Sequence, residues 1–372
     1  MKKLITLLLL ILLTSCANDK KQERFTNMLI DGSFDTSITL IAYANNQDEF
    51  DKYFNHLKKR FNTLHQLFDI YNNYDNVTNV KTINDNAGNY DMAIMKDGKV
   101  IGSKLVIDEE LMNLIILAKD LSNSSNNKLD ITSGALLELW HDYRNLANDN
   151  NGIYNAPSNE EINKASKFKG FDKIFINDET NEIFIMDENI SLDIGGIAKG
   201  YATEIVSQEL KELGLVNGII NAGGNTKMIG QKPEGNFVTQ LESPNGGTLP
   251  LAISVKDNYQ VVTSSDLYRY FIDENNVKYH HLIDFDTNYP ANYFRQVTVI
   301  TDQGYIADGL STIFFTMPFE KGYKYYEDSN YNLDVIWIMD ADKAIEHPSG
   351  FYLNDFYIIT TENIKDYMSL IQ

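Results

Sequence analysis

"SLDIGGIAKGYATE", residues Ser191–Glu204, sets an extended run against a pair of glycines and then a helix-forming segment. Gly195-Gly196 lets the backbone approach whatever faces the turn closely, and the helix beyond, read from Gly195 to about Leu213, offers free N–H groups at its start. Ile197, Tyr201 and Ile205 share one face, and Gly214 suits a helix end. Lys199, one turn in, would set a point charge beside an anion. The same stretch also reads as close packing of helix on strand, and it is no P-loop, because GxxxxGK[ST] is absent. What decides the fold is whether such strand-to-helix units repeat.

They do not. Upstream, Thr36–Ala44 reads as a strand, followed by an amphipathic helix with Phe50, Phe54, Leu57, Phe61, Leu64 and Phe68 at three- and four-residue spacing. A second helix starts near Asp108 and carries Leu111, Leu114, Ile115 and Ala118 on one face; Ser122–Asn127 reads as a loop. "DKIFIN" and "NEIFIM" flank a turn and make a hairpin. Downstream, strands dominate from Gly218 to Asp284 and return at Gln296–Thr301. A helix over Ala307–Met317 follows, then a strand pair at Val335–Met339 and Phe356–Thr360. Without regular βαβ alternation the fold class is α+β, not a doubly wound sheet. No internal repeat and no Pro/Gly-rich linker divides the body, so it reads as one domain.

The N-terminus differs. Lys2 and Lys3 precede an apolar run, Leu4–Leu13, too short to span a bilayer, and Leu13-Thr14-Ser15-Cys16 has the form of a bacterial lipobox. Cys16 is the chain's one cysteine, so it has no internal disulfide partner, and lipidation accounts for it. The expected organisation is a signal peptide over 1–15, a polar tether over 16–28 and a folded body over 29–372. The mature protein would be a palmitate-bearing lipoprotein on the extracytoplasmic face of a bacterial membrane. A formal charge of −20 excludes a nucleic-acid partner, which requires clustered cations. It also requires local devices to hold any phosphate against the global field. The apolar content of 43% supports a sizeable core.

Four further stretches carry chemistry. In "LDITSGALLELW" (Leu129–Trp140), Asp130, Thr132 and Gly134 precede a helical run, as a helix cap or as a cradle for a phosphate or carbonyl. "NAGGNTKMIG" (Asn221–Gly230) turns at Gly223-Gly224, either as a plain turn or to leave room for a flat ring. In "ADGLSTIFF" (Ala307–Phe315), Asp308 and Thr312 lie four apart on one helix face and combine a carboxylate with a hydroxyl, a hard oxygen set suited to Mg²⁺. Alone, Asp308 reads as a helix cap. "HHLIDFDTNYPA" (His280–Ala291) runs two histidines into Asp284 and a turn at Asp286-Thr287-Asn288. His281 is the candidate base, because an unperturbed imidazole titrates near neutrality. Asp284 would orient it or serve structure alone, and His280 points the other way.

Taken together and in this order, the five stretches resemble the ApbE family, the FAD:protein FMN transferases. The patterns D-x-T-x-G-x-L-x-x-x-W, D-[LI]-G-[AG]-I-A-K-G-Y-A, N-x-G-G, H-[IL]-I-D-P-x-T-G-x-P and A-D-x-L-[AS]-T are answered at Asp130–Trp140, Asp193–Ala202, Asn221–Gly224, His281–Pro290 and Ala307–Thr312. Upstream, Tyr71 and Asn84 match as well.

The resemblance implies a single ApbE-like, T-fold-related domain with mixed sheets and packed helices. It implies FAD contacts at Tyr71, Asp130, Ile131, Thr132, Asp193 and Lys199. Mg²⁺ would be held by the Gly196 carbonyl, Asp308 and Thr312, with Ser311 nearby, and His281 would be catalytic. The implied reaction moves FMN from FAD to a Thr or Ser hydroxyl of a partner flavoprotein, membrane electron-transfer or extracellular, and releases AMP. A Mg²⁺-dependent FAD pyrophosphatase and a non-catalytic flavin-binding lipoprotein are the alternatives. The chain departs from the pattern where Phe285, Asp286 and Asn288 replace Pro, Arg and Gly. It departs again at Phe34-Asp35-Thr36 for M-G-T, and at Ser264–Tyr268 for S-G-x-Y. Non-glycine residues there require a strained or altered turn.

Overall fold

A computed structural model describes residues 22–371 except Asp31 and Lys256. The segment expected as a signal peptide and Cys16 lie outside the described residues. Nine strands, numbered along the chain, build the large sheet: β1 Glu23–Leu29, β2 Ile38–Ala44, β3 Gly218–Ala222, β4 Asn225–Ile229, β5 Gln260–Ser265, β6 Gln296–Thr301, β7 Leu333–Asp340, β8 Phe351–Leu353 and β9 Phe356–Thr360. Their order across the sheet is β1-β2-β3-β4-β5-β6-β7-β9-β8. A second sheet joins Phe237–Glu242, Thr248–Val255 and Met368–Leu370.

The α+β class holds. The sheets expected to be mixed are antiparallel in every described ladder, and parallel contacts are confined to isolated bridges such as Ser133 with Ser191. The segment expected as tether ends earlier than residue 28, because Glu23–Leu29 pairs with Ala44–Ile38 as an edge strand. Its mostly exposed side chains hid this, since an edge strand needs only backbone partners.

Six helices of ten or more residues are described: α1 Gln47–Phe68, α2 Glu109–Ser124, α3 Gly134–Asp149, α4 Ala198–Glu212, α5 Gly304–Phe315 and α6 Phe319–Asp328. The Asn46 side chain caps α1, accepting from the Glu49 N–H at 2.9 Å, and Phe50, Leu57, Phe61, Leu64 and Phe68 are buried as their spacing predicts. Helix α2 runs on into the expected Ser122–Asn127 loop as far as Ser124, with Leu121 and Ser122 buried. Polar composition misled there; tertiary burial of that last turn overrides local propensity.

Helices α1, α2, α4 and α5 cover one face of the large sheet and share its main core, while the three-stranded sheet closes the other face over Met228, Val261, Ile336 and Ile358. Covered on both sides, β4, β6 and β9 are buried along their whole length. A third, smaller core gathers Leu136 and Trp140 of α3 with Phe271 and Ile283. The cleft opens beside this satellite.

Candidate active site

The glycine stretch ends on a loop, not in the helix: α4 begins at Ala198, and Asp193–Gly196 lines the cleft. Asn84 holds this loop at its root. Its amide donates to the Leu192 carbonyl at 2.9 Å and accepts from the Leu192 N–H at 2.7 Å. The Asp193 N–H donates to the Ile131 carbonyl at 2.8 Å, which sets the Asp130 stretch alongside. Asp130 is buried and accepts from the Thr132 N–H at 2.9 Å and its hydroxyl at 2.6 Å, so it braces the turn into α3. Ile131 and Thr132 are buried with it, and the Thr132 hydroxyl also accepts from the Gly170 N–H at 2.8 Å. Across the loop, Gly223-Gly224 forms the two-residue hairpin turn between β3 and β4, with φ of 54° and 88°.

Asp308 corrects its reading as a cap of its own helix. It lies in the second turn of α5, and its Oδ2 instead accepts from the Gly200 N–H of α4 at 3.0 Å. Helix α4 has no side-chain cap at Ile197, so Asp308 satisfies one of its free N–H groups and adds negative charge to its positive end. Lys199 Nζ lies 3.7 Å from the same oxygen. Thr312 Oγ1 is 3.5 Å from the Gly196 carbonyl. Gly200 is required here: a Cβ would meet Asp308 Cβ at 2.5 Å and Asn225 Oδ1 at 3.1 Å.

One carboxylate, one hydroxyl and one carbonyl thus converge, and the buried Asn225 Oδ1 beside them has no protein partner. This all-oxygen set with a single carboxylate fits Mg²⁺, which keeps waters and phosphate oxygens as its other ligands. Among the described residues no cluster of three or more His, Cys, Asp or Glu side chains competes as a metal site. Ser311 stands behind the cleft wall, fully buried, with its hydroxyl on the Asp308 carbonyl and against Ser264 Oγ, each at 2.8 Å.

His281 lines the same cleft, which encloses about 790 Å³. Its Nδ1 is buried without a partner. Burial, with Arg269, His280, Arg144 and Lys199 around it, pushes the imidazole well below the ordinary histidine range, so it is neutral near pH 7. His280 faces away: its Nε2 lies 2.6 Å from the Ala291 carbonyl and its ring packs on Phe315. Asp284 does not orient His281. It is buried in an ion pair with Lys128 and accepts from the Tyr293 hydroxyl at 2.8 Å.

Lys128 also reaches Asp286 at 2.9 Å, so the acid that replaces the expected arginine is ion-paired outside the cleft lining. Asn288 takes φ of 63° in place of glycine; Phe34 and Asp35 take 56° and 52°. Tyr71 is 55% exposed at the mouth, its ring 5.3 Å from that of His141. Arg144, Arg269, His141 and Lys128 were not singled out from sequence. Arg144 left one trace, falling one turn after Trp140 on α3.

The α+β fold carries a cleft that brings a neutral imidazole and a helix start suited to an anion to one place. Residues 34–337 match the ApbE family, and the chain belongs to it. Among curated relatives, the FAD:protein FMN transferase of Haemophilus influenzae is 25% identical over 257 residues, 68% of this chain and 72% of that one. The Treponema pallidum protein of the same name is 27% identical over 263 residues, 66% of this chain and 70% of that one. The crystal structure of the ApbE protein from Thermotoga maritima superposes with a TM-score of 0.70 at 26% identity, covering 85% of this chain and 94% of that one. The apo flavinyl transferase ApbE of Pseudomonas stutzeri gives 0.67 at 22% identity, covering 92% and 94%.

Proposed function

We propose that this chain is an FAD:protein FMN transferase that moves FMN from FAD to a Thr or Ser hydroxyl of a partner flavoprotein and releases AMP. The observation that carries the reading is the convergence of Asp308, Thr312 and the Gly196 carbonyl at the start of α4, with a neutral His281 lining the same cleft. Asp308, Thr312 and the Gly196 carbonyl would hold Mg²⁺, which when bound draws negative charge from the pyrophosphate. Lys199 and the N–H groups of α4 would add to that from the protein side. Asp130, Ile131, Thr132, Asp193 and Tyr71 would bind and orient the flavin nucleotide.

His281 would accept the proton of the attacking hydroxyl as its oxygen bonds to the flavin-bearing phosphorus. The bond from that phosphorus to the bridging oxygen breaks, and its electron pair leaves with AMP. A histidine that is neutral at pH 7 is ready for that proton.

The reading extends to location: the lipobox supports acylation of Cys16 and an extracytoplasmic, membrane-anchored body whose acceptors are membrane electron-transfer or extracellular flavoproteins. Mass spectrometry of the mature N-terminus checks it, with an unmodified Cys16 counting against it.

The enzymatic test incubates the body with FAD, Mg²⁺ and an acceptor flavoprotein. Covalently fluorescent acceptor and stoichiometric AMP are expected. Free FMN with unlabelled acceptor would mean a pyrophosphatase, and intact FAD a binding protein.

A further inference from the structure

Two arginines in the cleft differ from two others of the chain, which are ion-paired. Arg60 is clamped by Glu110 and Glu209, and Arg295 by Asp266 and Asp340. Arg144 and Arg269 line the cleft, and among the described residues neither has a carboxylate within ion-pair distance or a side-chain hydrogen bond. In a chain with 52 acidic residues, these two guanidiniums of the cleft are left without a carboxylate partner. They do not disperse; both act on the same four groups, Asp193, Tyr71, His141 and His281. Arg269 is held there at φ of 53°, a left-handed conformation that a long side chain seldom adopts without a local reason. Arg144 is half-buried, one turn beyond Trp140, whose ring is locked against Tyr279 and Phe271 and whose Nε1 donates to the Asn288 carbonyl at 3.0 Å.

We infer that Arg144 and Arg269 form a second phosphate-binding arm, facing the Lys199–Asp308 arm across the cleft, with the substrate's pyrophosphate between them. The inference rests on the transferase reading and deepens it. If His281 takes a proton from an oxygen that is bonding to phosphorus, cations gathered about His281 are gathered about that phosphorus too. A guanidinium is suited to this, because its planar fork grips phosphate oxygens in pairs and stays charged when desolvated. The pair also answers the loss of the loop cation at Asp286, which Lys128 and Lys321 occupy from outside. Asp193, whose carboxyl is pushed up by burial, lies within the field of both arginines.

Binding of FAD, ADP and riboflavin to the Mg²⁺-loaded protein separates the possibilities, since riboflavin has the ring system without phosphate. In Arg144→Gln and Arg269→Gln the dissociation constants for FAD and ADP should each rise about tenfold, the worth of one hydrogen bond to a charged group, while riboflavin moves less than twofold. The salt dependence of ADP binding should flatten in the double variant. Arg144→Lys and Arg269→Lys, which keep the charge but lose the fork, should fall between.

Equal losses for riboflavin and FAD would place the arginines on the ring and overturn the assignment. So would unchanged FAD affinity with a raised KM for the acceptor protein alone. A wild-type chain that binds neither FAD nor ADP overturns the transferase reading along with it. Wild-type binding that survives the double variant overturns only the second arm.

Discussion

The two walls of the cleft are built on different plans. The α4–α5 wall is tightly packed on two regular helices: Asp308 caps a neighbouring helix, Gly200 leaves it room, and Asn225 adjoins. Each of its functional groups sits on a regular element or in the turn before one. The opposite wall is assembled from pieces distant in sequence, α3, Arg269 and the 280–290 turn, held to each other by Trp140 and the Lys128–Asp284 pair. The first plan ties function to the packing of two regular helices. The second lets residue types change while a cation or a hydrogen bond is supplied from elsewhere, as Lys128 does for the turn.

Breaking the first wall should cost most. Asp308→Ala should lower flavin transfer by about 10³-fold, in the range that loss of a key electrostatic group costs, and should also destabilise by about 1 kcal/mol through the lost cap. Asp308→Asn keeps a cap oxygen and should lose activity with little change in Tm. Equal thermal losses in both variants would show that the carboxylate serves α4 alone.

Next, His281→Ala should lower kcat by about 10²- to 10⁴-fold with FAD affinity unchanged. The acid limb of kcat/KM for the native protein should lie below the ordinary histidine range, because the surrounding cations and burial keep His281 unprotonated. A limb at or above pH 6.5 would contradict that environment.

For the second wall, Lys128→Met leaves Asp284 buried without its partner and should cost about 3–5 kcal/mol in urea unfolding, and Lys128→Met with Asp284→Leu should recover much of it. An additive double variant would deny the pairing.

A smaller effect comes from His280, held down to about 4 by burial. Being neutral when folded and protonated when unfolded, it contributes stability that is whole above pH 6.5 and is lost as pH falls toward 4, about 3 kcal/mol in all. His280→Gln should flatten that part of the stability profile. The smallest change is Asp35→Gly, which relieves a φ of 52° and should raise stability by up to about 1 kcal/mol; a loss would mean the carboxylate makes a compensating contact.

Read along the chain, the first wall is nearly complete. Asp193, Gly196, Lys199, Asp308 and Thr312 fall within two short runs whose spacing already places them at a helix start or on one helix face. Ser311 marks where that resolution ends, since helical spacing did not tell that its hydroxyl is consumed behind the wall by Ser264. The strand at Glu23–Leu29 was missed because its partner, not its side chains, makes it a strand.

Local order was therefore decided by the amino-acid sequence: the helix periods, the glycine turns and the oxygen donors four apart, all of which depend on neighbours within a turn or two. Tertiary structure alone decided which charges meet. That Asp284 serves Lys128 and not His281, that Asp286 turns outward, and that Arg144 and Arg269 are left unpaired in the cleft follow from contacts over a hundred residues apart. No local pattern encodes such contacts, because the energy of a buried charge is set by whatever the fold brings beside it.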